Sequence, residues 1–100
     1  MKTTHATQDL GVASQIGSYS DAVTVSPNMR WLFSSGTPGL ELSGALPADI
    51  AGQAEIAWKH ILTMLDNANM SITDIVKAPQ YLVRPEFLVE IEIIAARPMA

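Results

Sequence analysis

The sequence predicts an α+β domain in which a sheet is covered on one face by helix. Three patterns carry this prediction. Apolar residues recur at helical intervals through the middle of the chain, a β-branched run stands near the N-terminus, and the last segment alternates in polarity. A chain of 100 residues is the size of one small domain, so we expect residues 1–100 to form a single unit.

The first third of the chain predicts two strands. Residues 1–15 have no regular pattern and indicate an irregular arm with at most one short strand. Residues 22–25 form a β-branched run, and after three turn-forming residues the apolar segment 29–35 follows. Two strands joined by a tight turn are the natural interpretation. Glycine, serine and proline in residues 36–47 are typical of a loop.

The middle of the chain predicts one long helix over residues 49–68. Asp49 is a good N-cap residue, and Asn69 tolerates the left-handed conformation that ends many helices. Between them, apolar residues follow one another at intervals of four, three, four, four and three: Ile50, Ala54, Ala57, Ile61, Leu65 and Ala68. Such a stripe suits one face of a sheet.

The last third predicts two further strands. Residues 71–74 resemble a capped turn, and residues 75–77 begin an extended segment. Residues 87–95 alternate, which is typical of a strand. Its two faces would carry Val89, Ile91, Ile93 and Ala95 on one side, and Leu88, Glu90, Glu92 and Ile94 on the other.

The composition limits which binding partners and which cellular compartment we expect. Charged residues make up 16% of the chain, against about 25% in typical domains, so we expect part of the surface to meet another copy. The net charge of −4 argues against a nucleic-acid-coating role. The absence of cysteine excludes disulfides and thiolate zinc sites. The polar N-terminus and the absence of a long apolar run predict a cytoplasmic, non-membrane protein.

Few residues could carry chemistry. Glu90 and Glu92 would share one strand face, which is either a solvated face or a cleft with an acid–base carboxylate. Residues 34–36 end a strand, where backbone N–H groups could bind an oxyanion or simply begin a loop. Tyr19 either lines a pocket with its hydroxyl or is a buried aromatic residue.

The histidines and tryptophans favour structural roles. His5 and His60 are too isolated in the sequence to form a metal site, and His60 is better explained by surface or packing than by base catalysis. We assign Trp31 and Trp58 to the core or to an interface.

Five stretches, taken in order, resemble the RidA/YjgF family, also called the endoribonuclease L-PSP-like or reactive-intermediate deaminase family. Residues 16–23 (IGSYSDAV) resemble its opening "IGPYSQAV", and residues 32–36 resemble its strand ending in "SG". Residues 48–53 resemble its helix start, 72–77 its "LxDVVK", and 89–95 (VEIEIIA) its terminal "VEIEVIA". Each motif alone is weak, but five in order are fairly specific.

The resemblance implies a fold, an assembly and a reaction. The fold would be a chorismate-mutase-like (bacillus type) mixed sheet with helices on one face, in a homotrimer with a ligand cleft at each subunit interface. Deaminases of the family hydrolyse small 2-imino or enamino acids to 2-keto acids and ammonia, without a metal or organic cofactor. By position, Tyr19, Ser35 and Gly36 would bind the substrate, and Glu90 would lie near the attacking water.

Two other functions stay open. A non-catalytic trimeric member would hold a small keto acid in the same cleft as a regulatory ligand. An endoribonuclease, which the family's common name suggests, is disfavoured by the net charge of −4 and by the lack of a histidine pair.

The family pattern breaks after Lys77. A member would continue through a second helix and a strand bearing a carboxylate-binding arginine, but only twelve residues separate Lys77 from Glu90. The join falls either directly after Lys77, since Pro79 is improbable in a central strand, or near Arg84, with residues 80–83 ending the family's third strand. The spacing of Arg84 to Glu90 does not match the family's arginine, so we do not transfer that role.

One helix and one strand are therefore lacking. Either the chain is a natural or engineered deletion, or the sequence omits an internal stretch between about residues 77 and 87 and is numbered straight across it. We favour the omission, because without a second helix half of the sheet would be bare. The residues expected to lie partly exposed are Val89, Ile91 and Ile93.

Overall fold

The computed structural model describes residues 5–17, 19–78 and 86–99, and it has the α+β architecture predicted from the sequence. Two 3₁₀ turns, Ala13–Gln15 and Ile72–Asp74, accompany the longer elements. In chain order these are β1 (Ala6–Gln8), β2 (Ala22–Thr24), β3 (Met29–Phe33), β4 (Thr37–Pro38), α1 (Ile50–Asn67), β5 (Ile75–Lys77), β6 (Glu90–Ile91) and β7 (Ile94–Pro98).

The strands form three small antiparallel sheets. β7 lies between β3 and β5, β4 pairs with β6, and β1 pairs with β2. Every pair within the described ranges is antiparallel, so the mixed sheet expected from the resemblance is not seen in this part of the chain. The two predictions that fall on residues 79–85, a join near Arg84 and a strand tail at 80–83, lie outside the described residues.

The predicted pairing of β2 with β3 is wrong. Both strands form, and Asn28 between them adopts a positive φ of 62°. However, β2 pairs with β1 through Thr7 and Val23, whereas β3 pairs with β7 through Leu32 and Ala95. A local pattern shows that a strand forms but does not identify its partner when that partner lies more than sixty residues away along the chain.

The predicted helix is confirmed within one residue at each end. α1 runs from Ile50 to Asn67, and the Asp49 carboxylate accepts a hydrogen bond from the Gly52 N–H at 2.9 Å. At the other end Asn69 takes the expected left-handed conformation, with φ of 55°. This conformation lets the Met70 N–H donate to the Leu65 carbonyl at 2.8 Å, which closes the helix.

The core lies between α1 and the C-terminal strands. The helical stripe supplies Ala57, Ile61 and Leu65, each at most 1% exposed. The expectation that the opposing residues would be partly bare is wrong, because they pack with the α1 stripe in one core cluster. Val89 is 7% exposed, and Ile91 and Ile93 are fully buried. The bare-sheet argument for an omitted segment therefore fails, and the omission itself stays a prediction.

The last strand is interrupted where the sequence predicts continuity. β6 and β7 are separated by residues 92–93. At this break the Ile93 N–H donates to the Ser34 hydroxyl at 2.8 Å, and the Ser34 N–H donates to the Ile93 carbonyl at 3.1 Å. A side-chain oxygen thus takes the place of a main-chain acceptor, so the chain can leave the ladder without a buried unpaired N–H.

A buried amide, Gln53, ties the start of α1 to two distant stretches. Its side chain donates to the Pro47 carbonyl at 2.8 Å and to the Glu86 carbonyl at 3.2 Å, and accepts from the Leu88 N–H at 2.9 Å. Gly39 lies directly against the same residue. A Cβ at position 39 would lie 2.1 Å from the Gln53 carbonyl oxygen, so only glycine permits this approach.

We predict that Gly39→Ala destabilises the protein by about 1–3 kcal/mol, because the added methyl group overlaps the α1 backbone and forces the loop away. Denaturant unfolding measures the change. The control is Gly17→Ala, whose Cβ would meet only ordinary contacts at 3.7 Å. Equal unfolding midpoints for the two variants would show that the close approach at residue 39 is unimportant.

We predict that Gln53→Leu costs about 1–3 kcal/mol, because it leaves buried polar groups of the backbone without their partner. Gln8→Leu, on the exposed strand β1, is the matched control and should change the free energy of unfolding by less than about 0.5 kcal/mol. Thermal unfolding compares them, and a loss of stability no larger than the control's contradicts the role assigned to Gln53.

Candidate functional site

Glu90 is a buried carboxylate beside a glycine. It lies on β6 opposite Pro38 and is 4% exposed. A Cβ at position 36 would lie 3.1 Å from Glu90 Oε1, so the carboxylate lies against Gly36. The solvated-face interpretation is therefore wrong for Glu90. Glu92, two residues further on, is only half-buried.

The loop at residues 34–36 brings one predicted binding residue to Glu90. Gly36 makes the approach just described, and Ser35 precedes it as an exposed residue whose carbonyl accepts from the Thr37 hydroxyl at 3.1 Å. Ser34, which sequence reasoning treated only as part of the loop, holds the break in the last strand with its hydroxyl. Gly36 and Glu90 thus lie in contact with each other, and Ser35 is the exposed residue next to them in the chain.

Tyr19 lies in a different place. Its side chain is 57% exposed, so the buried-aromatic interpretation is wrong. It lines a cavity of about 670 Å³ whose described walls are residues 19–23 and 76–78. Neither Gly36 nor Glu90 belongs to these walls. A single chain therefore does not bring together all the residues that the sequence suggested.

Asp21 is a structural anchor of this cavity that sequence reasoning missed. Its carboxylate accepts from the Leu10 N–H at 2.7 Å and from the Ala13 N–H at 3.0 Å. The Leu10 N–H lowers the pKa of Asp21 below its ordinary value, and the Ala13 N–H adds to the effect, because both bonds favour the ionised form. The only sequence signal was an aspartate directly before a β-branched run.

Two arginines in the described ranges bind groups of the protein itself. Arg97 pairs with the buried Asp74 carboxylate at 3.1 Å, and Arg30 donates to the Ala68 carbonyl at the end of α1 at 2.9 Å. The two arginines are direct cross-strand neighbours, and each guanidinium binds a different partner. Arg84 lies outside the described residues.

The histidine and tryptophan predictions have mixed outcomes. The Nε2 atom of His60 lies 2.7 Å from the Leu40 carbonyl, which agrees with a packing role. Trp58 packs against the core. Trp31 is 48% exposed and stacks on Phe33, with ring centroids 6.0 Å apart, so within one chain it is not a core residue.

Within the described ranges, α1 and the shorter helical turns include no segment both long and apolar enough to cross a bilayer.

We predict that the anchor at Asp21 weakens in acid. Its lowered pKa means that its contribution to stability is complete above the unfolded-state pKa of about 3.9, and is lost as the pH falls through the lower folded-state value. Amide NMR shifts of Leu10 and Ala13 should titrate together below that pH. In Asp21→Asn this titration should be absent, and its persistence would contradict the assignment.

The comparison with family models agrees with four of the five motifs. The family model described as Endoribonuclease L-PSP matches residues 11–86, and four of the five motifs fall inside this range. The fifth, residues 89–95 with Glu90, lies beyond it. No curated protein and no solved structure matched the chain. Because the match spans about three quarters of its length, the chain belongs to the endoribonuclease L-PSP family, also known as RidA/YjgF.

Proposed function

We propose that the protein is a RidA-like hydrolytic deaminase that converts small 2-imino or enamino acids to 2-keto acids and ammonia. The observation that carries the proposal is the burial of Glu90 beside Gly36. A carboxylate removed from bulk water next to a glycine backbone is suited to position one water molecule and exchange protons with it. Membership of the family supports the same reaction.

The reaction requires one water, and both of its protons end on the nitrogen. The substrate C2 carbon accepts the water oxygen while the Glu90 carboxylate takes one proton of that water, and the same carboxyl group gives this proton to the imine nitrogen, which yields a neutral carbinolamine. The carboxylate then carries the hydroxyl proton of the carbinolamine to its amino group, the C–N bond breaks, ammonia leaves and the C2–O bond becomes the carbonyl of the 2-keto acid. The sum is imino acid plus water giving keto acid plus ammonia.

The proposal includes a homotrimer with the chorismate-mutase-like arrangement. Leu32 packs on the core, so its neighbours Trp31 and Phe33 lie on the sheet face opposite α1, at 48% and 68% exposure. Two adjacent exposed rings, on a chain with few charges, suit an interface between copies. Such an interface would bring the Tyr19 cavity of one copy to Glu90 of another.

A non-catalytic ligand-binding role is the second candidate. It is favoured by the engagement of Arg30 and Arg97 in structural contacts, because neither guanidinium is left to hold a substrate carboxylate next to Glu90. Binding of a 2-keto acid without turnover would support this role. The endoribonuclease activity in the family's name remains disfavoured by the net charge of −4.

We predict that Glu90→Gln lowers the rate of ammonia release from 2-aminoacrylate, generated in the assay, by about 10²–10⁴-fold, which is the usual contribution of a general acid–base group. Glu92→Gln, two residues along and half-buried, is the matched control and should stay within a few-fold of the original rate. The deaminase proposal would be wrong if the wild-type protein did not accelerate ammonia release over buffer, either with 2-aminoacrylate or with other small imino acids.

A further inference from the structure

The Tyr19 cavity has the composition of a site for a small organic anion. One wall is the segment 19–23, with the Tyr19 hydroxyl as a hydrogen-bond donor, and the other is the segment 76–78. Lys77 is the basic residue among the described walls, and Ala22, Val23, Val76 and Ala78 make the rest of them largely apolar. The volume of about 670 Å³ is ample for a small ligand.

An irregularity in β5 determines which way Lys77 faces. Ile75 pairs with Ala95, but Lys77 pairs with Ile94, so the register shifts by one residue between them. Residues directly opposite each other in an antiparallel pair share a face, and successive residues alternate. In a regular strand Lys77 would share the core face with Ile75; after the shift it shares the face of Ile94, away from α1.

This shift has a functional consequence. Bulges of this kind often redirect a side chain beside a binding site. Ile75 keeps its packing against the core, while Lys77 is exposed at the cavity. The same short strand therefore contributes to the core and presents a cation to a ligand.

The charges around Lys77 leave its ammonium group available. It forms no ion pair with any residue in the ranges 5–17, 19–78 and 86–99. Asp21 lines the same cavity, but both of its oxygens already accept backbone N–H groups of the N-terminal arm. Arg30 and Arg97 are held by other groups, the Ala68 carbonyl and the Asp74 carboxylate.

We propose that Lys77 binds the substrate's carboxylate, with the Tyr19 hydroxyl as a second donor to the same ligand, an inference that rests on the proposed function. The ligand class is a short aliphatic 2-imino acid or the 2-keto acid formed from it. The carboxylate pairs with the ammonium group, and the short carbon chain lies against the alanine and valine side chains. An ammonium is a point charge and does not require the bidentate geometry of a guanidinium, so Lys77→Arg retains binding.

The experiment is a calorimetric titration of the purified full chain with 2-oxobutanoate. We expect Lys77→Gln to weaken binding at least tenfold and Lys77→Arg to stay within a few-fold of the wild type. Lys59→Gln removes a cation on α1 that lines a separate cavity with Glu41, and it should bind as the wild type does. Circular dichroism of each variant verifies the fold, which the exposed position of Lys77 at a sheet edge should preserve.

Kinetics separate this inference from the proposed function. If the protein is a deaminase, Lys77→Gln should raise KM with little change in kcat, because the lost contact is present in both the ground state and the transition state. Binding that depends on Lys77 without ammonia release would remove the deaminase and keep the inference. The inference would be overturned by an unchanged KM or an unchanged binding affinity in Lys77→Gln, by an equal loss of binding in Lys59→Gln, or by no binding of 2-oxobutanoate to the wild type.

Discussion

The side-chain amide of Gln53 is the interaction on which the site depends. From the first turn of α1 it holds the carbonyls of Pro47 and Glu86 and the N–H of Leu88. These bonds attach the chain just before β6 to the start of the helix, in addition to the apolar packing of the core. Because Glu90 begins β6, the position of the buried carboxylate follows from this polar contact.

Close backbone packing complements this contact on the other side of the site. Gly39 lies against Gln53, and Gly36, three residues earlier, lies against Glu90. The short strand β4 joins the two glycines and pairs with β6. The same loop therefore contacts the helix at one end and the carboxylate at the other, so a change in its packing against α1 will also affect the surroundings of Glu90.

In the described part of a single chain, the residues of the proposed site fall into two groups. Glu90 and Gly36 form the first, and Tyr19 with Lys77 forms the second. Under the two proposals, Glu90 handles water and Lys77 holds a carboxylate, which are complementary tasks in a hydrolytic reaction. Their separation within the chain, together with the exposed Trp31 and Phe33 rings, is accounted for if copies of the chain assemble and complete each other's sites.

Local interactions explain what the sequence alone determined. Helix α1 could be predicted because Asp49 and Asn69 mark its ends and the apolar stripe runs between them. The family could be recognised because its motifs are short and lie in order. Helix capping and periodicity involve residues within a few positions of one another, so they are visible in a single sequence.

Only the tertiary structure decided which strands pair and which polar groups are buried. β3 pairs with β7 and not with β2, Ile91 and Ile93 are buried in one cluster with α1, and Glu90 is buried although it alternates with apolar residues like a solvated side chain. The bulge that turns Lys77 away from the core is likewise absent from the polarity pattern. Each of these depends on contacts between residues far apart along the chain, and the local pattern of a strand is the same whichever partner it meets.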